Sequence, residues 1–364
     1  MNVIYILTPR SRESREATAR ARHSVASPSV LVRGTRAPGT DADAQATSTI
    51  YVPGTRGAEH TIDMLQVPLS AAYFQGAASV QPHPGGGLQP WRLPHTAHHL
   101  YPSPNDGLLV KASHGSGVRL HFTSDTTAIE LEYDPLTPVD PNNKEMSPHS
   151  FDVTTGSGEI VANALAAGSS TRIELPPPTD GVPRTLEVWL PQASDIVLRS
   201  MWIDAGTTAL IEPDPRPVWV TYGSSLTHRT RANSPACTWP ALVARKYGLH
   251  LISLGFGGDC HLEPMLGFHI RDLGADYITM KLGINTLNTL GPRTFPVRRR
   301  RIMIVHAKPA AHICAVGAIS NWLIHRLHGA LAGASYGSDS YHSRGMPRHP
   351  AYCNFAHVLP TECE

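Results

Sequence analysis

Three residues, each in a short loop, could together catalyse acyl transfer. Ser225 offers a hydroxyl that can attack a carbonyl carbon. Gly258 offers a backbone N–H that a substrate can approach closely because no Cβ intervenes, and Asn285 offers an uncharged amide donor. Donors of this kind stabilise the oxyanion that develops when a carbonyl is attacked. The alternatives are structural: a tight turn for the glycines, an ordinary β–α turn for Ser225 and a cap for Asn285.

The predicted elements around these residues place them at one edge of a parallel sheet. An apolar run from Pro217 to Tyr222 predicts a buried strand that breaks at Gly223 and leads into Ser225. The elements predicted to follow are helix 236–247, strand 249–254, helix 261–273 and strand 277–282. Strands that alternate with helices indicate a mostly parallel sheet. Because ligands bind beyond the carboxyl ends of such strands, we expect the three loops to converge on one site.

Residues 61–211 show a different pattern, in which apolar and polar residues alternate over short segments. A period of two indicates half-buried antiparallel strands. The predicted strands are 62–67, 71–80, 118–122, 128–133, 150–154, 159–162, 171–175, 185–190 and 196–203. Many short strands without a long helix predict a β-sandwich of jelly-roll type. The stretch 81–104, which is rich in Pro, Gly and His, is predicted to be a loop.

Composition divides the chain into four segments. Residues 1–60 are predicted to be a disordered leader, 61–211 a β-sandwich domain and 216–295 an α/β domain. Residues 296–364 are atypical, since they contain a run of arginines and many histidines but few acidic residues. One hypothesis is that this tail is an out-of-frame or incomplete reading of the gene. Within it, Ile302–His306 and Ile313–Val316 are predicted strands.

Charge and hydropathy argue against several classes of partner. The 364 residues carry a formal net charge of +2, so neither a nucleic-acid partner nor an anionic membrane partner is predicted. No apolar run approaches the roughly 20 residues that span a bilayer. The first residues lack the basic stretch and apolar core of a signal peptide, which slightly favours a cytoplasmic location. The cysteines form no CxxC pair, which argues against a zinc site.

The three loops have the sequences Gly-Ser-Ser-Leu at 223–226, Gly-Phe-Gly-Gly-Asp at 255–259 and Lys-Leu-Gly-Ile-Asn at 281–285. In order and spacing they resemble the first three sequence blocks of the SGNH (GDSL-like) hydrolases. The family's Ser, Gly and Asn then fall on Ser225, Gly258 and Asn285, while Ser224 stands where many members have Asp. The resemblance covers roughly residues 62–295. It implies a flavodoxin-like three-layer parallel sheet, in the branch that has an N-terminal β-sandwich.

The same family has its catalytic base near the C-terminus, in the pattern Asp-x-x-His-Pro. Asp339 and His342 have the Asp-x-x-His spacing, with Ser343 in the place of Pro. The resemblance therefore implies His342 as the base and Asp339 as the residue that orients it. His228 and His261, which are close to the loops in sequence, are interpreted as packing or hydrogen-bonding residues.

These observations predict a serine esterase or acyl hydrolase that acts on a small-molecule or carbohydrate ester, with no metal or organic cofactor. The oligomeric state is not predicted. An acyltransferase stays open as an alternative, because an acceptor hydroxyl can intercept the same acyl-enzyme in place of water. A second alternative is a catalytically impaired remnant whose β-sandwich binds carbohydrate. The aromatic residues available for sugar binding, which would also suit a core, are Tyr73, Phe74, Trp91 and Tyr101.

Overall fold

The computed structural model describes residues 64–137, 139, 146–286, 289, 294–305 and 312–317. Two antiparallel sheets come first along the chain and a parallel sheet follows. This confirms the predicted order of a strand-rich N-terminal part (residues 64–211) and an α/β part (residues 216–317). The predicted leader, residues 1–60, lies outside the described residues. Among the described helices, none has the length and apolar character needed to cross a bilayer.

The strands of the N-terminal part form two antiparallel sheets. They are β1 Met64–Val67, β2 Phe74–Gln75, β3 Ser79–Pro82, β4 Leu88–Trp91, β5 Arg119–Ser124, β6 Ala128–Tyr133, β7 Ser150–Thr155, β8 Ile160–Leu165, β9 Ser170–Glu174, β10 Arg184–Trp189 and β11 Leu198–Asp204. One sheet has the order β3-β4-β11-β6-β9, with β1 paired to β11, and the other has the order β2-β5-β10-β7-β8. A short helix, α1 (Gly107–Ala112), precedes β5.

The alternating sequence pattern explains how these sheets bury one face. In β6, Ile129, Leu131 and Tyr133 are buried, whereas Glu132 between them is exposed. Apolar residues of both sheets belong to one hydrophobic core cluster, so the alternation buries both sheets in a common core. This agrees with the predicted strand-rich architecture, and the jelly-roll connectivity stays a prediction.

The α/β part contains a four-stranded parallel sheet in the order β13-β12-β14-β15. Its strands are β12 Val218–Gly223, β13 His250–Gly255, β14 Tyr277–Leu282 and β15 His312–Gly317. Its helices are α2 Ser225–His228, α3 Trp239–Tyr247, α4 Pro264–Asp272 and α5 Thr294–Val305. The three strands predicted at 217–222, 249–254 and 277–282 are therefore confirmed to within one residue at each end.

Helix α3 shows how local sequence sets these boundaries. The Thr238 side chain accepts a hydrogen bond from the Ala241 N–H at 3.4 Å and so caps the first turn. Gly248 ends the helix in a left-handed conformation, with φ of 60°. The buried face, which includes Ala241 and Val243, packs against Trp219 of β12 and Leu251 of β13.

Three sequence predictions need correction. The strand predicted at Ile302–His306 is wrong, because residues 302–305 continue helix α5, whose Ile302 is buried in the core of the α/β part. The predicted loop 81–104 contains strand β4, whose pairing with β3 and β11 outweighs the local Pro and Gly content. The stretch predicted as one strand at 71–80 is divided between a helical turn and strands β2 and β3. The strand at Ile313–Val316 is confirmed as part of β15.

The domain boundaries proposed from sequence stay predictions. The described residues from Leu65 onward form one compact unit, and buried side chains connect the N-terminal part with the α/β part. Arg119 of β5 donates to the Leu251 carbonyl of β13 at 3.1 Å. Ser116 donates to the His228 carbonyl at 2.9 Å.

A buried ion-pair network lies where the two parts meet. Arg119 pairs with Glu187 at 2.8 Å between Nε and Oε1, and both side chains are almost fully buried. Arg216 also donates to Glu187 and pairs with Asp214 at 2.7 Å. His250 of β13 lies 2.8 Å from the same Asp214 carboxylate. Two carboxylates and two guanidinium groups therefore balance one another inside the protein.

The network also has the composition of a metal site, because His121, Glu187 and Asp214 place ligand atoms within 4.8 Å of one another. However, the carboxylate oxygens of that set already accept hydrogen bonds from Arg119 and Arg216. A cation bound there would face two positive guanidinium groups. We therefore interpret the cluster as part of the fold.

Candidate active site

The carboxyl ends of three parallel strands meet at one edge of the sheet. Gly223, the last residue of β12, is in register with Gly255 of β13 and with Lys281 of β14. The loops that follow these strands therefore begin side by side. They carry the three residues that the sequence predicts to act together.

Ser225 is the first residue of helix α2 and is exposed. The Ser224 carbonyl accepts hydrogen bonds from the N–H groups of Thr227 and His228, each at 2.9 Å, which fixes the turn that presents Ser225. The N–H and the hydroxyl of Ser225 make no hydrogen bond to any residue that the structure describes. Because the first N–H groups of a helix have no partner within the helix, this N–H is available to a ligand.

The loop after β13 packs directly against this turn. Gly255 has no room for a side chain, because a Cβ there would overlap the backbone of Thr227 and His228. A Cβ on Gly257 would lie 3.4 Å from the Cα of Ser225. The close packing of glycine backbone on α2 therefore brings this loop and Ser225 together.

Gly258 occupies the open side of the same loop. Its φ of +86° is in the region that favours glycine, and a Cβ there would meet nothing within 4 Å. Within residues 64–286 and the other described segments, its N–H has no hydrogen-bond acceptor. A substrate atom could therefore approach this N–H from solvent.

Asn285 contacts the loop from the third strand end. Its Oδ1 accepts a hydrogen bond from the Cys260 N–H at 3.2 Å. A backbone N–H can only donate, so the oxygen must face Cys260 and the Nδ2 amide group must point elsewhere. That amide group has no acceptor among the described residues.

His228, directly after the turn, is a structural residue. Its Nδ1 accepts from the Gly257 N–H at 3.2 Å, so the proton is on Nε2, which donates to the Gln192 carbonyl at 3.0 Å. Burial, together with the nearby charge of Arg92, lowers the pKa of His228 well below its ordinary value. A neutral ring with both nitrogens occupied cannot take a proton from Ser225, which agrees with the sequence interpretation.

A buried carboxyl group lies beneath the same loop. Burial raises the pKa of Glu263 to about 7, and the Tyr222 hydroxyl is 3.4 Å from its Oε2. The Tyr222 hydroxyl in turn accepts from the Leu262 N–H at 3.2 Å. His261 lies close by, with Nδ1 at 3.7 Å from the Glu263 Oε1, and is buried. These contacts hold the end of the loop against β12.

Two further sequence predictions concern the catalytic base and a sugar-binding surface. His342 and Asp339, proposed as the base and its partner, lie outside the described residues. Of the aromatic residues considered for sugar binding, Tyr73, Phe74 and Tyr101 are buried. Their burial supports the core interpretation over a carbohydrate-binding surface.

Arg92, which the sequence analysis missed, lies under the loop with no exposed surface. Its guanidinium donates to the carbonyls of Ser253 and Gly255 at 3.1 and 2.7 Å, and also to the carbonyl of Lys111. It stacks over the Phe256 ring, 5.0 Å from the centroid. The signal that could have found it is a single arginine between apolar residues in Trp-Arg-Leu-Pro.

Comparisons with known proteins relate both parts of the chain to known families. The family model described as the N-terminal domain of SsfX3 matches residues 72–199, and that of the GDSL-like lipase/acylhydrolase family matches residues 216–288. The salicylyl-acyltransferase SsfX3, from a tetracycline biosynthetic pathway, is 31% identical, with 67% of this chain and 68% of that chain covered and a TM-score of 0.57. No curated protein sequence matches the chain.

A second solved structure supports the fold alone. It is a protein of Bacteroides ovatus described as a GDSL-like lipase, at 17% identity and a TM-score of 0.54. The aligned region covers 67% of this chain and 70% of that chain.

Proposed function

Because the chain belongs to the SGNH (GDSL-like lipase/acylhydrolase) family and has an SsfX3-type N-terminal domain, we propose that it is a serine esterase or acyl hydrolase. One observation carries the proposal: Ser225 is exposed at the sheet edge where the neighbouring loops present N–H groups that have no acceptor among the described residues. Ser225 Oγ attacks the ester carbonyl and forms an acyl-enzyme, and the alcohol leaves. Water then releases the acid and restores the hydroxyl.

The oxyanion of each tetrahedral intermediate needs donors that are already in place. The Ser225 N–H, the Gly258 N–H and the Asn285 Nδ2 amide group fill this role, since each lacks an acceptor in the described part of the chain. Donors that are held in place before reaction do not reorganise as the charge develops, which is why they lower the barrier.

The proton of Ser225 requires a base, and the proposed base is His342, with Asp339 orienting its ring. The described histidines next to the loop do not compete for this role. His228 uses both ring nitrogens in hydrogen bonds, and His261 is buried beside Glu263.

Family membership also supports the finer architecture. We propose that helices cover both faces of the parallel sheet, in the flavodoxin-like three-layer arrangement. The antiparallel sheets before it would form a jelly-roll sandwich, with the domain boundary between residues 211 and 216.

Acyl transfer to a hydroxyl acceptor is the second candidate function. It is favoured by the 31% sequence identity of this chain to the salicylyl-acyltransferase SsfX3. Hydrolysis and transfer share the acyl-enzyme and differ only in what attacks it. Turnover of p-nitrophenyl acetate, measured with and without an added alcohol, separates them. A hydrolase gives acetate as the main product in both cases, whereas a transferase gives mainly the new ester when the alcohol is present. If the full chain releases no p-nitrophenol above the buffer rate, the proposed function is wrong.

Replacement of Asn285 by alanine tests the oxyanion donors. We expect kcat for p-nitrophenyl acetate to fall about 100-fold, about 3 kcal/mol of transition-state stabilisation, with a small change in KM. The reason is that this amide binds the charge that appears only in the transition state.

The matched control is Asn285→Asp. Aspartate keeps an oxygen that can accept from the Cys260 N–H, but it has no amide donor and adds a negative charge beside the oxyanion. It should therefore be at least as inactive as the alanine variant. Full activity of Asn285→Asp would contradict the donor role.

A further inference from the structure

The free edge of β13 is where the N-terminal part meets the candidate site. Within the described sheet, β13 is the outermost strand next to β12. The N–H groups of His250 and Phe256 bond to carbonyls at the two ends of β12. Since alternate residues of a strand point in opposite directions, the carbonyls of residues 251, 253 and 255 face the open edge.

Two buried arginines of the N-terminal part bind all three of these carbonyls. Arg119 donates to the Leu251 carbonyl at 3.1 Å. Arg92 donates to the carbonyls of Ser253 and Gly255 at 3.1 and 2.7 Å. An uncovered strand edge presents unpaired backbone N–H and C=O groups, and here guanidinium groups satisfy the carbonyls in place of a further strand.

Arg92 binds the end of the strand that leads into the catalytic loop. Gly255 is the last residue of β13, and Gly258, the proposed oxyanion donor, follows three positions later. Other groups hold the rest of the loop: His228 accepts from the Gly257 N–H and Asn285 accepts from the Cys260 N–H. Without Arg92, the loop keeps these contacts and the Phe256 N–H keeps its bond to Gly223 of β12, but the Gly255 carbonyl loses its hydrogen bond.

The Arg92 side chain is itself fixed on several sides. Besides its three carbonyl acceptors, it stacks on the Phe256 ring. No carboxylate among the described residues pairs with it. A buried cation without a counter-ion is costly to the fold, and the hydrogen bonds that Arg92 donates to the carbonyls of β13 oppose that cost.

We propose that Arg92 is a positioning residue, which fixes the carboxyl end of β13 and thereby holds the Gly258 N–H in place beside Ser225. The proposal rests on the proposed function for its catalytic consequence. It makes the N-terminal part a component of the catalytic site, because the loop that carries the oxyanion donor is held by a residue from outside the α/β part.

The test compares three variants of the full chain: Arg92→Met, Arg92→Lys and Arg245→Met. Arg245 is the control, since its guanidinium also donates to two carbonyls, that of Gly158 in the N-terminal part and that of Ala236 in the α/β part. Neither of these carbonyls belongs to residues 255–260. Arg92→Lys keeps the positive charge and the N–H donors of a single nitrogen. It provides a second variant if the methionine variant does not fold.

The first measurement is amide hydrogen exchange, which does not depend on activity. We expect the hydrogen-bonded amides of Gly257, Asp259 and Cys260 to exchange at least about tenfold faster in Arg92→Met than in the unmodified chain, because local opening becomes easier. Arg92→Lys should fall between the two, and Arg245→Met should leave this segment unchanged. Unchanged exchange in Arg92→Met, or equal acceleration in Arg245→Met, would overturn the proposal.

The second measurement is the kinetics of ester turnover. We expect kcat to fall roughly 10- to 100-fold in Arg92→Met with little change in KM, since a small displacement of a donor weakens transition-state binding. Arg92→Lys should recover part of this loss. If the unmodified chain is inactive, the proposed function fails, and hydrogen exchange alone decides the role of Arg92. If the chain is active and Arg92→Met keeps its kcat, only the positioning role fails.

Discussion

Replacement of Ser225 by alanine is expected to reduce ester turnover by at least about 10³-fold, to a rate set by the remaining oxyanion donors. The reason is chemical: without the Oγ atom no acyl-enzyme forms, and water must attack the ester directly. The fold should change little, because Ser225 is exposed and its hydroxyl makes no hydrogen bond to a described residue. Initial rates of p-nitrophenol release at saturating ester, before and after substitution, measure this effect.

The neighbouring serine provides the control. Ser224 is buried, and its hydroxyl has no hydrogen-bond partner in the described part of the chain. Its role is carried by its backbone carbonyl, which a Ser224→Ala variant keeps. That variant should retain most of the activity. A Ser225→Ala protein that turns over ester as fast as Ser224→Ala would remove Ser225 from its proposed role.

Replacement of Glu187 by glutamine is expected to lower the free energy of unfolding by about 3 to 5 kcal/mol. Glutamine has nearly the same shape, but it removes the carboxylate nearest to the buried guanidinium of Arg119, which keeps only Asp214 at 4.0 Å, and it weakens the pairing of Arg216. The cost of an uncompensated buried charge exceeds that of the lost attraction alone. Urea unfolding at neutral pH measures the change.

An exposed ion pair gives the matched control. Glu174 pairs with Arg172, but its side chain is 70% exposed, and exposed pairs contribute less than about 1 kcal/mol. Glu174→Gln should therefore change the urea midpoint only slightly. Equal effects of the two substitutions would show that the network at Glu187 does not stabilise the protein as we infer.

Low pH should weaken the same ion-pair network around Glu187. Burial alone would raise the pKa of Glu187, but the charge of Arg119 and hydrogen bonds from His121 and Arg216 hold it below its ordinary value of 4.5. A carboxyl group whose pKa is lowered by folding stabilises the protein fully above its unfolded pKa, and this contribution is lost as the pH falls toward the folded pKa. As the pH falls below about 5, the free energy of unfolding of Glu187→Gln should therefore decrease less than that of the unmodified chain.

The sequence was sufficient to predict the elements that carry the candidate site. An apolar run that ends at Gly223, and the similar runs before Gly255 and Gly283, locate the three strand ends, because local hydrophobic pattern and glycine both act over a few residues. The parallel pairing then follows from the alternation of strands and helices. The proximity of the three loops is a consequence of that topology.

The role of Arg92 could not be predicted in the same way. It lies in a stretch rich in Pro, Gly and His, and its acceptor Ser253 is 161 positions away in sequence. A local pattern carries no information on so distant a contact. The same limit explains the missed strand β4, which forms because β3 and β11 supply partners on both sides.

The most direct test of the central claim is to find which residue becomes covalently modified at the site. The full chain is treated with a p-nitrophenyl phosphonate, which bonds phosphorus to an activated serine Oγ and releases p-nitrophenolate. Peptide mass spectrometry then locates the phosphonyl group. We predict one phosphonyl group per chain, on Ser225. A label on another residue, or no label with the folded protein, would contradict the claim that Ser225 is an activated nucleophile.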